Sequence, residues 1–210
     1  MALVGRWIQP VTLDGRRVRL EPLTADHLPA LVEVGLDPSL WRWTLSLIET
    51  PADMAAYVGA ALAAAKAGAE VPFVTVDREA GRVVGSTRFL SIEAQHRRLE
   101  IGYTWLGPPW QRSHVNTEAK LLMLRHAFED RAAIRVEFKT DSLNEQSRRA
   151  LAGIGAVEEG TFRNHMISQG GRRRHSTYFS IIEEEWPQVR DRLAKRLARR
   201  SVPVRLNRLA

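Results

Sequence analysis

Cysteine is absent from the 210 residues. Disulfides, cysteine-ligated zinc and a cysteine nucleophile are thereby excluded together. Long apolar runs are absent as well. No stretch of about eighteen residues is apolar throughout, so no membrane-spanning helix is expected. Met1 to Pro10 lack the apolar run of a signal peptide. These absences fit a soluble, cytoplasmic protein. Paired metal-ligand spacing is also missing. His27, His96, His114, His126, His165 and His175 form no HExxH and no other spaced pair, so no metal is expected. His126 lies on an apolar helix and reads as a satisfied core residue. There is no G-x-S-x-G elbow, no P-loop, no internal repeat and no low-complexity linker.

What is present suits one α/β domain with a sizeable core. Charge is unevenly placed. The net charge is +7, and residues 189–210 hold eight basic side chains against the single acid Asp191, so residues 1–188 are balanced. The body therefore does not read as a nucleic-acid binder. The tail has two readings: an amphipathic helix whose apolar stripe docks on the body, which is the weightier, or an arm for RNA, ribosome or an acidic surface. Residues after Ser201 are expected to be mobile.

Turn and cap residues divide the chain. A strand or hairpin is expected over Val11 to Leu20, around Asp14-Gly15. Thr24 reads as the cap of a helix carrying Leu28, Leu31 and Val32. Thr50, Pro51 and Asp53 start a second helix, which Gly68 ends. Strands are expected over Val71–Val76, Arg82–Ile92 and Arg98–Leu106, the last stopped by Gly107-Pro108-Pro109. A buried helix follows from Asn116 to Asp130. Ile134–Thr140 reads as a strand and Asn144–Leu151 as a short helix. Two strands, Val157–Ile167 and His175–Ile182, flank the Gly170-Gly171 turn. Pro187 opens a last helix with Trp186, Val189, Leu193 and Leu197 on one face. The expected architecture is a mixed α/β sheet with helices on both faces and a right-handed parallel crossover at residues 98–140.

The stretch from Trp105 to Ala119 joins a strand to a long helix through a short polar loop. Amides of that loop and of the first helical turn lack intrahelical acceptors and lie at the positive end of the helix dipole, which makes an anion site. Arg112 adds a full charge. The plainer alternative is an ordinary turn with Asn116 as the cap.

Three further segments accompany this loop: Leu99-Glu-Ile-Gly-Tyr-Thr-Trp105, Asn144-Glu-Gln-Ser-Arg-Arg-Ala150 and Gly153-Ile-Gly-Ala-Val-Glu-Glu-Gly160. In this order and spacing, with Gly81-Arg-Val-Val-Gly-Ser86 and Glu184-Glu185-Trp186-Pro187, the chain resembles the GNAT superfamily of acetyltransferases in its RimJ/RimL-like branch, over about residues 10–198. The resemblance implies the GNAT acyl-CoA N-acyltransferase fold, with a central sheet of about seven strands, a domain over residues 1–188 and a basic helix and tail over 189–210. It implies acetyl-CoA as co-substrate and a primary amine as acceptor, either a protein N-terminus or a small amine. The family's loop reads Gln or Arg, two residues, Gly, one residue, then Gly or Ala. The matching positions are Gln111, His114 and Asn116, so the first is kept and the two small ones are replaced. The cofactor's pyrophosphate is then expected on the backbone of Arg112, Ser113, His114, Val115, Asn116 and Thr117. The backbone of Tyr103, Thr104, Trp105 and Leu106 would meet pantetheine, and Asn144 and Ser147 would line the arm.

Glu100 is the candidate base. On a regular strand it shares a face with Gly102 and Thr104, opposite Leu99, Ile101, Tyr103 and Trp105, and a partly buried carboxylate can take a proton from an amine. A surface pairing with Arg97 or Arg98 is the alternative. A main-chain amide near Thr104 to Leu106 would serve the oxyanion. By resemblance Ser147 protonates the leaving thiolate, with Tyr103 and Tyr178 left open. Trp41 and Trp43 are expected near the acceptor, one in the core and one in the cleft. A homodimer is left open. Two rival readings are a non-catalytic acyl-CoA-binding module, motivated by His114 and Asn116, and an RNA- or ribosome-associated protein acting through its tail.

Overall fold

The computed structural model describes residues 6–200, apart from the side chain of Arg200. The segment after Ser201, expected to be mobile, lies outside the described residues. One eight-stranded sheet runs in the order β1-β2-β3-β4-β5-β6-β8-β7. Its strands are β1 (Leu13–Asp14), β2 (Val18–Pro22), β3 (Val71–Asp77), β4 (Arg82–Glu93), β5 (Arg98–Leu106), β6 (Arg135–Asp141), β7 (Val157–Ile167) and β8 (Arg173–Ile182). Only β5 and β6 pair in parallel. The additional strand relative to the expected seven is the two-residue β1, split from β2 at Gly15.

The helices are α1 (Leu28–Gly35), α2 (Pro51–Ala67), α3 (Val115–Arg125), α4 (Glu145–Ile154) and α5 (Trp186–Arg200). Local chemistry sets their ends. Thr50 Oγ1 accepts the Asp53 amide and Asp53 reaches back to the Thr50 amide, while Gly68 takes φ 81° and closes α2. A side chain at Gly68 would be strained there and would meet the Arg6 guanidinium. The α3 helix widens into a π-turn over His126–Asp130. His126 is buried, and its ring bonds Asp130 (2.8 Å) and Arg131 (3.4 Å).

Two cores lie on opposite sides of the sheet. One holds Met54, Tyr57, Val58, Trp41 and Trp105 between the sheet and α1–α2. The other holds Val115, Leu122, Met123, Leu151, Trp186, Val189 and Leu193 between the sheet and α3–α5. Each fully buried aliphatic or aromatic side chain contributes about 1.5–3 kcal/mol. The apolar stripe of α5 is therefore part of the second core, and its exposed face carries Arg190, Arg192, Lys195 and Arg199.

Candidate active site

Strand β5 organises the site. Arg88 pairs with Gly102 and Ser86 with Trp105, so Thr87 alone opposes both Tyr103 and Thr104. This is a β-bulge, and Tyr103 takes φ 48°. The extra residue reverses the alternation of faces. Leu99 and Ile101 enter the α3-side core before it; after it Leu106 does so, while Trp105 packs with α1 and α2. The expected grouping of Glu100 with Thr104 is thus corrected. Thr104 Oγ1 accepts a hydrogen bond from Lys120 Nζ on α3 (2.7 Å), whereas Glu100 shares its face with Tyr103 and Trp105.

The β5–β6 ladder runs only from Arg98↔Arg135 to Glu100↔Glu137. Beyond that rung β5 follows β4 to Leu106 and β6 follows β8 to Asp141. The strands part, and among the described residues the β6-facing edge of residues 102–106 has no neighbouring strand. Trp105 and Leu106 bury their side chains in the two cores, so only their main chain faces the gap. Tyr103 is exposed and lies beside Arg88, 4.2 Å from the ring centre.

At the end of β5, Gln111 Nε2 donates to the Leu106 carbonyl (3.1 Å). Arg112, exposed and at φ 58°, turns the chain. Ser113 Oγ donates to the Trp110 carbonyl (2.6 Å) and accepts the Val115 amide (3.1 Å). The cap of α3 is His114, without a side-chain capping bond, so Asn116 sits in the first turn and is not the cap. The amides of Asn116 and Thr117 have no intrahelical acceptor. Asn116 also has a buried side-chain amide atom, Oδ1 as assigned, without a partner. Val115 and Thr117 turn inward and are buried. His114 leaves the loop surface and packs its ring near Asp77 and Glu79, at the turn after β3. These features fit a pyrophosphate held by main-chain donors.

Asn144 caps α4 by accepting the Ser147 amide (3.0 Å). Ser147 is half-buried. Gln146 Nε2 reaches Gln111 Oε1 (3.4 Å), which brings the start of α4 beside the loop before α3.

Glu100 is 4% exposed. Burial pushes its carboxyl above the usual carboxylate range; Lys139 opposes this and Glu137 reinforces it. The partner of Glu100 is Lys139 Nζ at 3.4 Å, not Arg97 or Arg98, since Arg98 bonds Glu137 (3.2 Å). Glu93, Glu100, Glu137, Lys139 and Tyr178 line a cavity of about 680 Å³. Lys139 and Tyr178 also stack, 5.8 Å apart. Lys139 was legible in principle: Val136 and Phe138 alternate into the core, which leaves Glu137 and Lys139 on the other face. Ser147, Trp41 and Trp43 do not line this cavity. Trp41 is 1% exposed and donates Nε1–H to the Gly35 carbonyl (2.8 Å), so it is a core residue. Trp43 is half-buried between the guanidinium groups of Arg42 and Arg172.

A sequence profile described as an acetyltransferase (GNAT) domain matches residues 17–157. Among curated proteins, YdaF of Bacillus subtilis (strain 168), provisionally named a ribosomal N-acetyltransferase, is 28% identical over 106 residues. That match covers 50% of the chain and 57% of YdaF, so the chain spans little more than half the length of this relative. A crystal structure from T. thermophilus, provisionally described as an acetyltransferase, is 38% identical with a TM-score of 0.83, covering 91% of this chain and 99% of that one. Mycobacterium smegmatis RimJ, solved with CoA-disulfide, shares the fold at 23% identity and a TM-score of 0.75, over 89% of this chain and 95% of that one. Among the described residues no helix is long and apolar enough to cross a membrane.

Proposed function

Because the chain belongs to the acetyltransferase (GNAT) family, we propose that it moves an acetyl group from acetyl-CoA to a primary amine by direct attack in a ternary complex. The observation that carries this reading is the parting of β5 from β6 at the rung that holds Glu100. A carboxylate with a raised proton affinity stands where the free edge of β5 begins, and the anion-binding loop stands where it ends.

In this mechanism Glu100 takes a proton from the acceptor ammonium, directly or through water. The freed nitrogen attacks the thioester carbonyl. A main-chain amide between Thr104 and Leu106 donates to the oxyanion. As the C–S bond breaks, the attached nitrogen sheds its second proton to water and the sulfur takes a proton through Ser147, which water re-protonates, with Tyr103 and Tyr178 as the alternative donors. The amides of residues 112–117, other than that of Val115, which Ser113 holds, take the pyrophosphate, and Asn144 and Ser147 flank the pantetheine arm. Arg98, Arg135 and Lys139 offset Glu100, Glu137 and Glu159 around the cavity, so Glu93 is the carboxylate left to favour a cationic acceptor there. Trp43 stands at the acceptor's approach.

The ribosomal name of YdaF supports a ribosomal-protein N-terminus as acceptor. The arginines of α5 support a ribosome or RNA contact during docking. Val189 and Leu193 are core residues, so truncating α5 would unfold the protein. Arg192→Gln with Arg199→Gln tests that contact instead, and unchanged co-sedimentation with ribosomes removes it.

The main test is thiol release from acetyl-CoA across a panel of N-terminal peptides and small amines. Turnover on at least one amine is expected. Tight CoA binding without turnover on any acceptor favours a non-catalytic acyl-CoA module, and failure of CoA to bind at millimolar concentration removes both readings.

A further inference from the structure

His114, Asp77 and Glu79 come from distant parts of the chain, yet one ligand atom from each lies within 4.8 Å of the others. Asp77 ends β3, Glu79 belongs to the turn into β4, and His114 caps α3. His114 is 8% exposed, and its Nε2 is buried without a hydrogen-bond partner among the described residues. Buried polar atoms are normally satisfied, so this one requires an explanation. Asp77 Oδ1 accepts the amides of Glu79 (3.0 Å) and Ala80 (3.4 Å), which fixes the turn. Arg17 forks onto both oxygens of Glu79, at 2.6 and 2.7 Å. Glu118 Oε1 accepts the backbone amide of Arg17 (3.0 Å). The three carboxylates of Asp77, Glu79 and Glu118 outnumber the guanidinium groups of Arg17 and Arg16 beside them, so the cluster keeps a negative charge. Burial, followed by Arg17, holds His114 below the ordinary histidine range. A neutral imidazole presents one ring nitrogen with a lone pair to an ion.

We propose that Asp77, Glu79 and His114 form a site for a divalent transition metal such as Zn²⁺, separate from the acyl-transfer centre, tying the β3–β4 turn to the start of α3. One imidazole and two carboxylates suit a borderline ion of this kind. Tetrahedral zinc, with bonds of about 2.0–2.2 Å, sets its ligands roughly 3.4 Å apart. The exposed Glu79 side chain supplies the closing movement, and water takes the fourth position. The His114 carbonyl accepts the Glu118 amide (2.9 Å) in the first turn of α3. An ion on the ring thus fixes the loop before that helix, and ion binding and CoA binding become reciprocally coupled.

Calorimetric titration of the untagged, chelator-treated full chain with ZnCl₂ tests the site directly, without any assay of transfer. One ion per chain is expected, and Co²⁺ in its place should give the visible absorption of a four-coordinate site. His114→Ala should weaken binding by about 100-fold, and Glu79→Gln, at an exposed position, by about 10-fold. If His114→Ala does not fold, Glu79→Gln carries the test. Absence of saturable binding by the wild type, or unchanged affinity in the folded variants, overturns the proposal.

Discussion

The two faces of β5 hold two buried ionisable side chains in opposite circumstances. Glu100, on the α1–α2 face, borders a cavity and has Lys139 at 3.4 Å. Lys120, on the α3 face, is 4% exposed and among the described residues its ammonium bonds only hydroxyls, Thr104 Oγ1 at 2.7 Å and Thr87 Oγ1 at 3.4 Å. Burial alone therefore pushes Lys120 down to about 7. Burial raises Glu100, but a counter-charge restrains the shift. Two ionisable groups close to one strand thus differ because one has a partner of opposite charge beside an accessible cavity and the other has neither. The first arrangement suits proton exchange with a substrate. The second is a stability cost borne inside the fold.

The largest effect that can break this contrast is at Glu100. Glu100→Gln should lower kcat/KM by about 100- to 1000-fold while leaving CoA affinity nearly intact. Equal activity in both proteins, measured by thiol release, would remove Glu100 as the base. Lys120→Met comes next. The folded pKa of Lys120 lies below the unfolded value, so between pH 7 and the ordinary lysine range the unfolded chain binds the additional proton. Stability contributed at this position is present at high pH and is lost as the pH falls toward 7. The methionine variant should therefore gain roughly 2–4 kcal/mol at pH 7, and the gain should shrink toward pH 10. Urea denaturation at both pH values checks the sign.

Lys139→Met sharpens the comparison by removing the partner. The carboxyl of Glu100 should then rise further, and the acidic limb of the pH–rate profile should move to higher pH. An unmoved limb would assign that ionisation to another group. The smallest effect concerns Gly102, where an added Cβ would sit 3.1 Å from Glu100 Oε1 and 3.0 Å from Leu90 Cδ2. Gly102→Ala should lower kcat about three-fold with little change in melting temperature, and a large loss of stability would show that the glycine serves packing instead.

Much of this layout was legible in the residues. Thr50-Pro51-Asp53 and Gly68 mark the ends of α2 because cap chemistry is local. Gly107-Pro108-Pro109 marks the end of β5 for the same reason. The bulge was not legible, since Tyr103 is no turn residue and its φ of 48° is imposed by the register with β4. That single residue moved Thr104 to the far face. The α3 cap is His114 and not Asn116, the cap of the plainer alternative. Asn116 has the side chain of a cap, but Ser113 already accepts the Val115 amide, so the helix starts earlier. Trp41 and Trp43, two positions apart, differ because Trp41 finds the Gly35 carbonyl inside the core. The approach of His114 to Asp77 and Glu79 depends on tertiary pairing that no local spacing encodes.

The bulge at Tyr103 also sets which mutations interact. Upstream of it, Ile101 reports to α3; downstream, Trp105 reports to α2 and Trp41. In double-mutant cycles Ile101 should couple with Met123 but not with Met54, and Trp105 should couple with Met54 but not with Met123. A strand that is continuous as a chain is thus discontinuous as a carrier of energetic communication, and the break falls between Glu100 and the main chain of residues 104–106, where β5 has parted from β6.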